Sequence, residues 1–452
     1  MRIHFIAIGG SAMHNLAMAL HYNHHTVSGS DDEIYDPARS RLESIGLLPT
    51  KMGWDPARIS PDLDAIILGM HARKDNPELL EAQRIGLPIY SYPEYIYQEA
   101  KDKSRWVIAG SHGKTSTTSM VLHALKKLNL NADYLVGAQL PGFKTMVRLS
   151  DAPLMVLEGD EYLSSPIDRR PKFLHYHPNT AIITGIAWDH INVFPTFENY
   201  LEQFQLFVNE LAPEGRIYYF GDDKHLQEIA AKNPSKAMSP YFGFEGHAEG
   251  DQMIVRSDKG NSFKVGVFGD HNLQNLKAAS LLCAEQGIEQ EQFLEAMADF
   301  QGAAKRLQLL NQSEKLTIYQ DFAHAPSKVK ATLEAVRKQY PDKKIVAALE
   351  LHTFSSLNKK FLPLYRDTLS PADGAAVFFQ KHTLEMKKLP SLDTAEVSEY
   401  FGGEVDVFQE QEPLISWLRH QLDEDSVVLL MSSGTFGGLD YRAFAEDLSL
   451  KA

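Results

Sequence analysis

One loop does most to limit the folds open to this chain. Gly110-Ser111-His112-Gly113-Lys114-Thr115-Ser116 follows an apolar run at 106–109 and precedes a helical pattern marked by Met120, Leu122, Leu125 and Leu128. A glycine-containing loop between a buried strand and a helix turns backbone N–H groups toward phosphate oxygens, while a lysine adds charge and a threonine offers a hydroxyl to Mg²⁺. Position 108 is Ile where the longer loop of this kind has glycine, so this is the shortened G-x-x-G-K-T form. A lysine in such a loop is expected to be solvated.

Apolar runs at 3–8, 66–68, 106–109, 154–157, 181–184, 316–319, 345–349, 375–379 and 427–431 alternate with helical patterns at 200–211, 272–286 and 327–340. Continuous apolar strands alternating with helices predict α/β units on parallel sheets covered on both faces. Polar stretches at 101–105 and 311–315 each precede a new strand, and cutting there divides the 452 residues into domains at 1–104, 105–312 and 313–452. With 45 Lys plus Arg against 59 Asp plus Glu, the net charge of −14 argues against a broad nucleic-acid face. The lone cysteine, Cys283, excludes an intramolecular disulfide and lies on an apolar helix face, where it reads as core. No apolar run reaches the roughly 18 residues a membrane helix needs, and a cytoplasmic protein is expected.

Two further sites carry chemistry. The first strand runs into Gly9-Gly10-Ser11 before a helix, and Ser30-Asp31 follows about 20 residues on, where such folds place an acidic group beside a sugar or base. The spacing is not the dinucleotide fingerprint. The strand at 154–157 ends in Glu158-Gly159-Asp160-Glu161, and the strand at 181–184 leads to Asp189-His190. Ligands of parallel sheets gather at the carboxyl ends of strands, so Glu158 and His190 read either as Mg²⁺ ligands or as a solvated strand end and a helix cap. His21, His24 and His25 read as structural or solvated.

The shortened loop, Glu158, Asp189-His190, Gly269-Asp270-His271-Asn272-Leu273-Gln274-Asn275, Arg306 and Asp321-Phe322-Ala323-His324-Ala325-Pro326 occur in an order that resembles the Mur ligases, ATP-dependent amide ligases of bacterial cell-wall assembly. The resemblance implies an N-terminal Rossmann-like UDP-binding domain, a central P-loop ATPase domain and a C-terminal Rossmann-like domain for the incoming amine. It implies that Gly110, Ser111, His112, Gly113, Lys114, Thr115 and Ser116 bind ATP phosphates. Thr115, Glu158 and His190 would hold Mg²⁺, and His271, Asn272 and Asn275 would line the adenine pocket. Arg306 and Asp321 would close on the nucleotide, with Lys114, Glu158, His190 and Arg306 catalytic. Gly9, Gly10, Ser11, Ser30, Asp31 and His71 would serve the UDP-sugar; His352, with Thr353 and Ser433, is a candidate for the peptide only by its position after the expected strands at 345–349 and 427–431.

Within the family, residues 168–178 and the ending at 431–438 resemble the branch that joins UDP-N-acetylmuramate to L-alanyl-γ-D-glutamyl-meso-diaminopimelate, and the L-alanine-adding branch is the nearest alternative. Arg169, Arg170, Lys172, His175 and His177 make residues 168–178 locally basic, read either as a solvated turn or as a surface for substrate carboxylates. Gln320, Ala325, Gly185 and Gln203 depart from the family pattern and bear on the second metal position. A nicotinamide oxidoreductase or a non-catalytic nucleotide-binding regulator would have to account for motifs in all three regions.

Overall fold

The computed structural model describes residues 1–249, 252–313, 315–423 and 425–451. Glu314, inside the expected boundary stretch at 311–315, lies outside them. The chain forms two compact units: Met1–Ile186 with Glu198–Phe242 and Ala278–Ala296, and Ala187–Phe197 with Gly243–Lys277 and Met297–Ala452.

In the first unit, β1 (Arg2–Ile6), β2 (Thr26–Ser30), β3 (Ala65–Leu68) and β4 (Ile89–Ser91) form a parallel sheet in the order β2-β1-β3-β4. The first strand stops at Ile6, two residues short of its apolar run. Ala7 turns to φ 69°, and Ala7 and Ile8 both donate their N–H to Ser30 O. A second sheet holds β5 (Ser104–Ala109), β6 (Asp133–Leu135), β7 (Val147–Arg148), β8 (Leu154–Glu158), β9 (Thr180–Ile183), β10 (Arg216–Phe220) and β11 (Ala237–Tyr241). Its order is β11-β10-β9-β5-β8-β6-β7, parallel except for β7. Ile108 pairs with Glu158 and Ala109 with Ile183, so β5, β8 and β9 end together.

The second unit contains a three-stranded antiparallel sheet, β12 (Gly246–Glu249), β13 (Gln252–Arg256) and β14 (Ser262–Val265). Reading for continuous apolar runs does not find it, because β12 and β14 are largely exposed. Its six-stranded sheet runs β15-β16-β20-β17-β18-β19, from β15 (Gln308–Gln312), β16 (Leu316–Asp321), β17 (Lys344–Glu350), β18 (Gly374–Phe378), β19 (Asp406–Phe408) and β20 (Ser426–Met431). Only β15 is antiparallel. Along β17, Ile345, Ala347 and Leu349 enter one core while Val346 and Ala348 enter the other. Side chains of a strand alternate between faces, so a strand apolar at every position needs a core on each side.

The N-terminal sheet is tied by a carboxylate. Glu78, wholly buried on the helix Pro77–Ile85, accepts from Asp55 N at 2.9 Å, from Arg58 Nη1 at 3.2 Å and from the Ser30 hydroxyl, and lies 3.3 Å from His4 Nε2. Burial opposes its charge, yet the bonds from His4, Asp55 and Ser30 hold its pKa below the usual value. Removing one partner of a buried pair strands the others. Glu78→Ala is therefore expected to lower stability by about 3–5 kcal/mol in chemical denaturation. A loss under about 1 kcal/mol would put this network with surface pairs.

Candidate active site

The joint end of β5, β8 and β9 carries the phosphate loop. Gly110 sits at φ 123°, and a Cβ there would meet Thr184 N at 2.9 Å, so the first loop position accepts only glycine. Ser111 N donates to Gly185 O at 2.9 Å, fastening the loop to the end of β9. Gly113, at φ 75°, starts the helix Lys114–Lys127, and no side chain caps it. Orphan N–H groups at such a terminus suit an anion.

Lys114 is not solvated. Its Nζ donates to Gly110 O and to Glu161 Oε2, both at 2.6 Å, and its side chain is only 14% exposed. Burial works against the ammonium, but Glu161 and then Asp160 outweigh it and hold the pKa above normal. Tyr200 OH donates to Glu161 Oε1 at 2.9 Å and lies 2.7 Å from Ser111 Oγ, so loop, lysine, glutamate and tyrosine close a ring of hydrogen bonds. Glu161 and Tyr200 were not singled out from sequence. Glu161's place one residue beyond Glu158-Gly159-Asp160 was the available signal, whereas Tyr200 comes from a distant helix.

Glu158 is likewise no solvated strand end. It is 9% exposed, and its oxygens accept from Thr115 Oγ1 and Gly137 N, both at 2.7 Å. A buried carboxylate beside a buried hydroxyl, both at the phosphate loop, is a hard-oxygen donor pair that fits Mg²⁺. At the N-terminal turn, Gly9 N donates to Asp31 Oδ2 at 2.7 Å, and burial pushes the Asp31 carboxyl up to about 6. Gly10 and Ser11 begin the helix Ser11–Tyr22, His71 is exposed, and the Ser30 hydroxyl is wholly buried on Glu78.

The second unit contains His190, His271, Asn272, Asn275, Arg306, Asp321 and His352. His190, at φ 54°, donates its N–H to Asp189 Oδ1 at 2.7 Å, and Lys328 Nζ donates to Asp189 Oδ2 at 3.2 Å. Burial opposes the Asp189 charge, but Lys328 and the histidines hold it well below the usual carboxylate range. His324 is pushed down to about 4 by burial and then Lys328. Asp321 accepts from Leu307 N at 2.6 Å, Ala323 N at 2.7 Å and Thr332 Oγ1 at 3.3 Å, which pins the turn presenting Arg306. Arg306 in turn lies over the Phe322 ring at 4.5 Å. Asn272 Nδ2 donates to Phe268 O, and Asn275 is buried beside it. His352 Nδ1 stands 3.7 Å from the buried Glu350, which accepts from Phe436 N at 2.8 Å and from the Ser432 hydroxyl.

Residues 168–178 are less basic than their composition. Arg170 is paired with Asp168 at 2.7 Å, Lys172 is held by Asp160, and His175 is buried, its pKa lowered by burial and then by Arg170. Arg169 remains exposed.

Three family models match in order: the Mur ligase family catalytic domain over residues 2–104, the Mur ligase middle domain over 108–283, and the Mur ligase glutamate ligase domain over 305–434. The chain is 28% identical to a UDP-N-acetylmuramate–L-alanyl-γ-D-glutamyl-meso-2,6-diaminoheptandioate ligase of Escherichia coli, across 100% of this chain and 99% of that one. It is 30% identical to a UDP-N-acetylmuramate–L-alanine ligase of Lacticaseibacillus paracasei, across 95% of each. A crystal structure of a UDP-N-acetylmuramate–alanine ligase from Thermotoga maritima shares its fold, with a TM-score of 0.73 at 21% identity over the whole of both chains.

The ring around Lys114 makes a thermodynamic claim. In a double-mutant cycle of Lys114→Ala and Glu161→Gln, unfolding free energies are expected to be non-additive by about 0.5–3 kcal/mol. Strict additivity would mean that the two charges do not stabilise each other.

Proposed function

The chain belongs to the Mur ligase family of ATP-dependent amide ligases, and on that footing we propose that it joins UDP-N-acetylmuramate to L-alanyl-γ-D-glutamyl-meso-diaminopimelate. The observation that carries this reading is the end-to-end likeness to the Escherichia coli ligase of that name.

A carboxylate makes a poor acyl donor because its leaving group would be oxide. Transfer of the γ-phosphoryl group from ATP gives an acyl phosphate and ADP. The peptide amine then attacks the carbonyl carbon, the C–N bond forms, the C–O bond to phosphate breaks, and phosphate leaves as the amine gives up its proton. Phosphoryl transfer needs positioning and charge neutralisation more than covalent help. The loop N–H groups from Gly110 to Thr115, apart from that of Ser111 which Gly185 O holds, receive the phosphates, and Lys114 exchanges Glu161 for a phosphate oxygen. Arg306 adds positive charge, and Asp321 acts as a positioning residue through the turn it pins. Thr115 and Glu158 would hold Mg²⁺, which offsets phosphate charge when bound; His190 is the candidate for a second ion.

Gly9, Gly10 and Asp31 are assigned to the UDP-sugar, residues 105–312 to ATP, and residues 313–452 to the peptide, with His352 at a strand end. No described helix is long and apolar enough to cross a membrane, and a reaction that uses ATP and a UDP-sugar belongs in the cytoplasm. The alternative amine, L-alanine, is favoured by the 30% identity to the Lacticaseibacillus ligase.

Phosphate release in the presence of UDP-N-acetylmuramate and ATP is expected to be stimulated by the tripeptide well above L-alanine, L-glutamate or buffer. A preference for free L-alanine would move the chain to the alanine-adding branch. Lys114→Ala is expected to slow the tripeptide-dependent rate by about 100-fold or more.

A further inference from the structure

Glu94, Asp168 and His175, all in the first unit, converge outside the nucleotide loop. One ligand atom from each lies within 4.8 Å of the other two, the single such group among the described residues. Glu94 is held by the cap of the helix Tyr92–Ala100, where its Oε2 accepts from Ser91 N and Oγ, both at 2.7 Å. That leaves Oε1 for the cluster. Asp168 is fixed by its own N–H to Ser165 Oγ at 2.9 Å and by Arg170 N to its Oδ1 at 3.0 Å.

His175 is the unusual member. Its side chain is 6% exposed, and its Nε2, 3.4 Å from Asp168 Oδ2, has no hydrogen-bond partner. A buried polar atom without a partner costs about 1–3 kcal/mol, so its position calls for an occupant. The cation now at the cluster is the Arg170 guanidinium, 2.7 Å from Asp168 Oδ2 and 4.0 Å from Glu94 Oε1, on a side chain 61% exposed. Two carboxylates and one arginine leave one negative charge uncompensated.

We propose that Glu94 Oε1, Asp168 Oδ2 and His175 Nε2 form a binding site for a divalent transition-metal ion of the zinc class, which Arg170 yields by swinging into solvent. Two carboxylates with one imidazole suit such an ion, whereas Mg²⁺ and Ca²⁺ favour oxygen alone. Ligand bonds of about 2.0–2.2 Å require only a modest contraction of the cluster. The dication neutralises both carboxylates and supplies His175 Nε2 with its partner, with the imidazole proton on Nδ1. The site stands apart from the ATP chemistry and holds whichever amine the chain uses.

The test is calorimetric titration of the full chain with Zn²⁺, after EDTA treatment and dialysis, in saturating Mg²⁺ to occupy hard-oxygen sites. His175→Ala and Asp168→Asn should each remove one Zn²⁺ equivalent. Arg170→Met, which deletes the competing cation and leaves the ligands intact, should tighten that equivalent about tenfold or more. Equal stoichiometry and affinity in wild type and Asp168→Asn would overturn the site even if His175→Ala fails to fold. An unchanged affinity in Arg170→Met would overturn the exchange with arginine.

Discussion

The register that places β5 between β8 and β9 is the constraint on which the candidate active site rests. A parallel sheet carries its loops at one edge, and because these three strands end level, the loop at 110–115, Glu158 and Thr184 must meet. Thr184 then forbids any side chain at Gly110, and Glu158 receives the Thr115 hydroxyl. A one-residue slip would turn Glu158 to the opposite face and separate it from Thr115. The geometry of the loop is thus decided by backbone pairing before any side chain takes part.

Much of this was legible in the sequence, and the reason is physical. Strands buried on both faces must be apolar at nearly every position, so β3, β5, β8, β9, β16, β17, β18 and β20 announced themselves as runs. Edge strands carry no such signal. The exposed strands β12 and β14, and β15 with its register shift, escaped a search for apolar runs. Backbone conformation also escaped it: nothing in Ile6-Ala7-Ile8 marks the left-handed Ala7 that ends β1.

The candidate site was readable in its residue types and unreadable in its pairings. Lys114 and Glu158 were identifiable from the motif, but Lys114 read as solvated and Glu158 as either a metal ligand or a solvated strand end, because sequence shows a charge without its partners. The partners, Glu161 for the lysine and Gly137 for the glutamate, lie 21 to 47 residues away, and Tyr200, which holds Glu161 in turn, arrives from another helix. The same blindness made residues 168–178 look like a basic patch, when Asp168 and Asp160 neutralise two of its cations locally.

The Lys114–Glu161 pair gives the phosphate loop an anion of its own. On the proposed function, nucleotide binding is an exchange of partners, and the affinity is the difference between two contacts. A loop whose competent form is only a fraction of the population binds more weakly in proportion to that fraction. What the exchange returns is selectivity. A lone sulfate or carboxylate must displace Glu161 with a single charge, while a polyphosphate brings further contacts to the same N–H groups. On the proposed function, the internal glutamate makes a single small anion a weaker competitor for the loop than a polyphosphate.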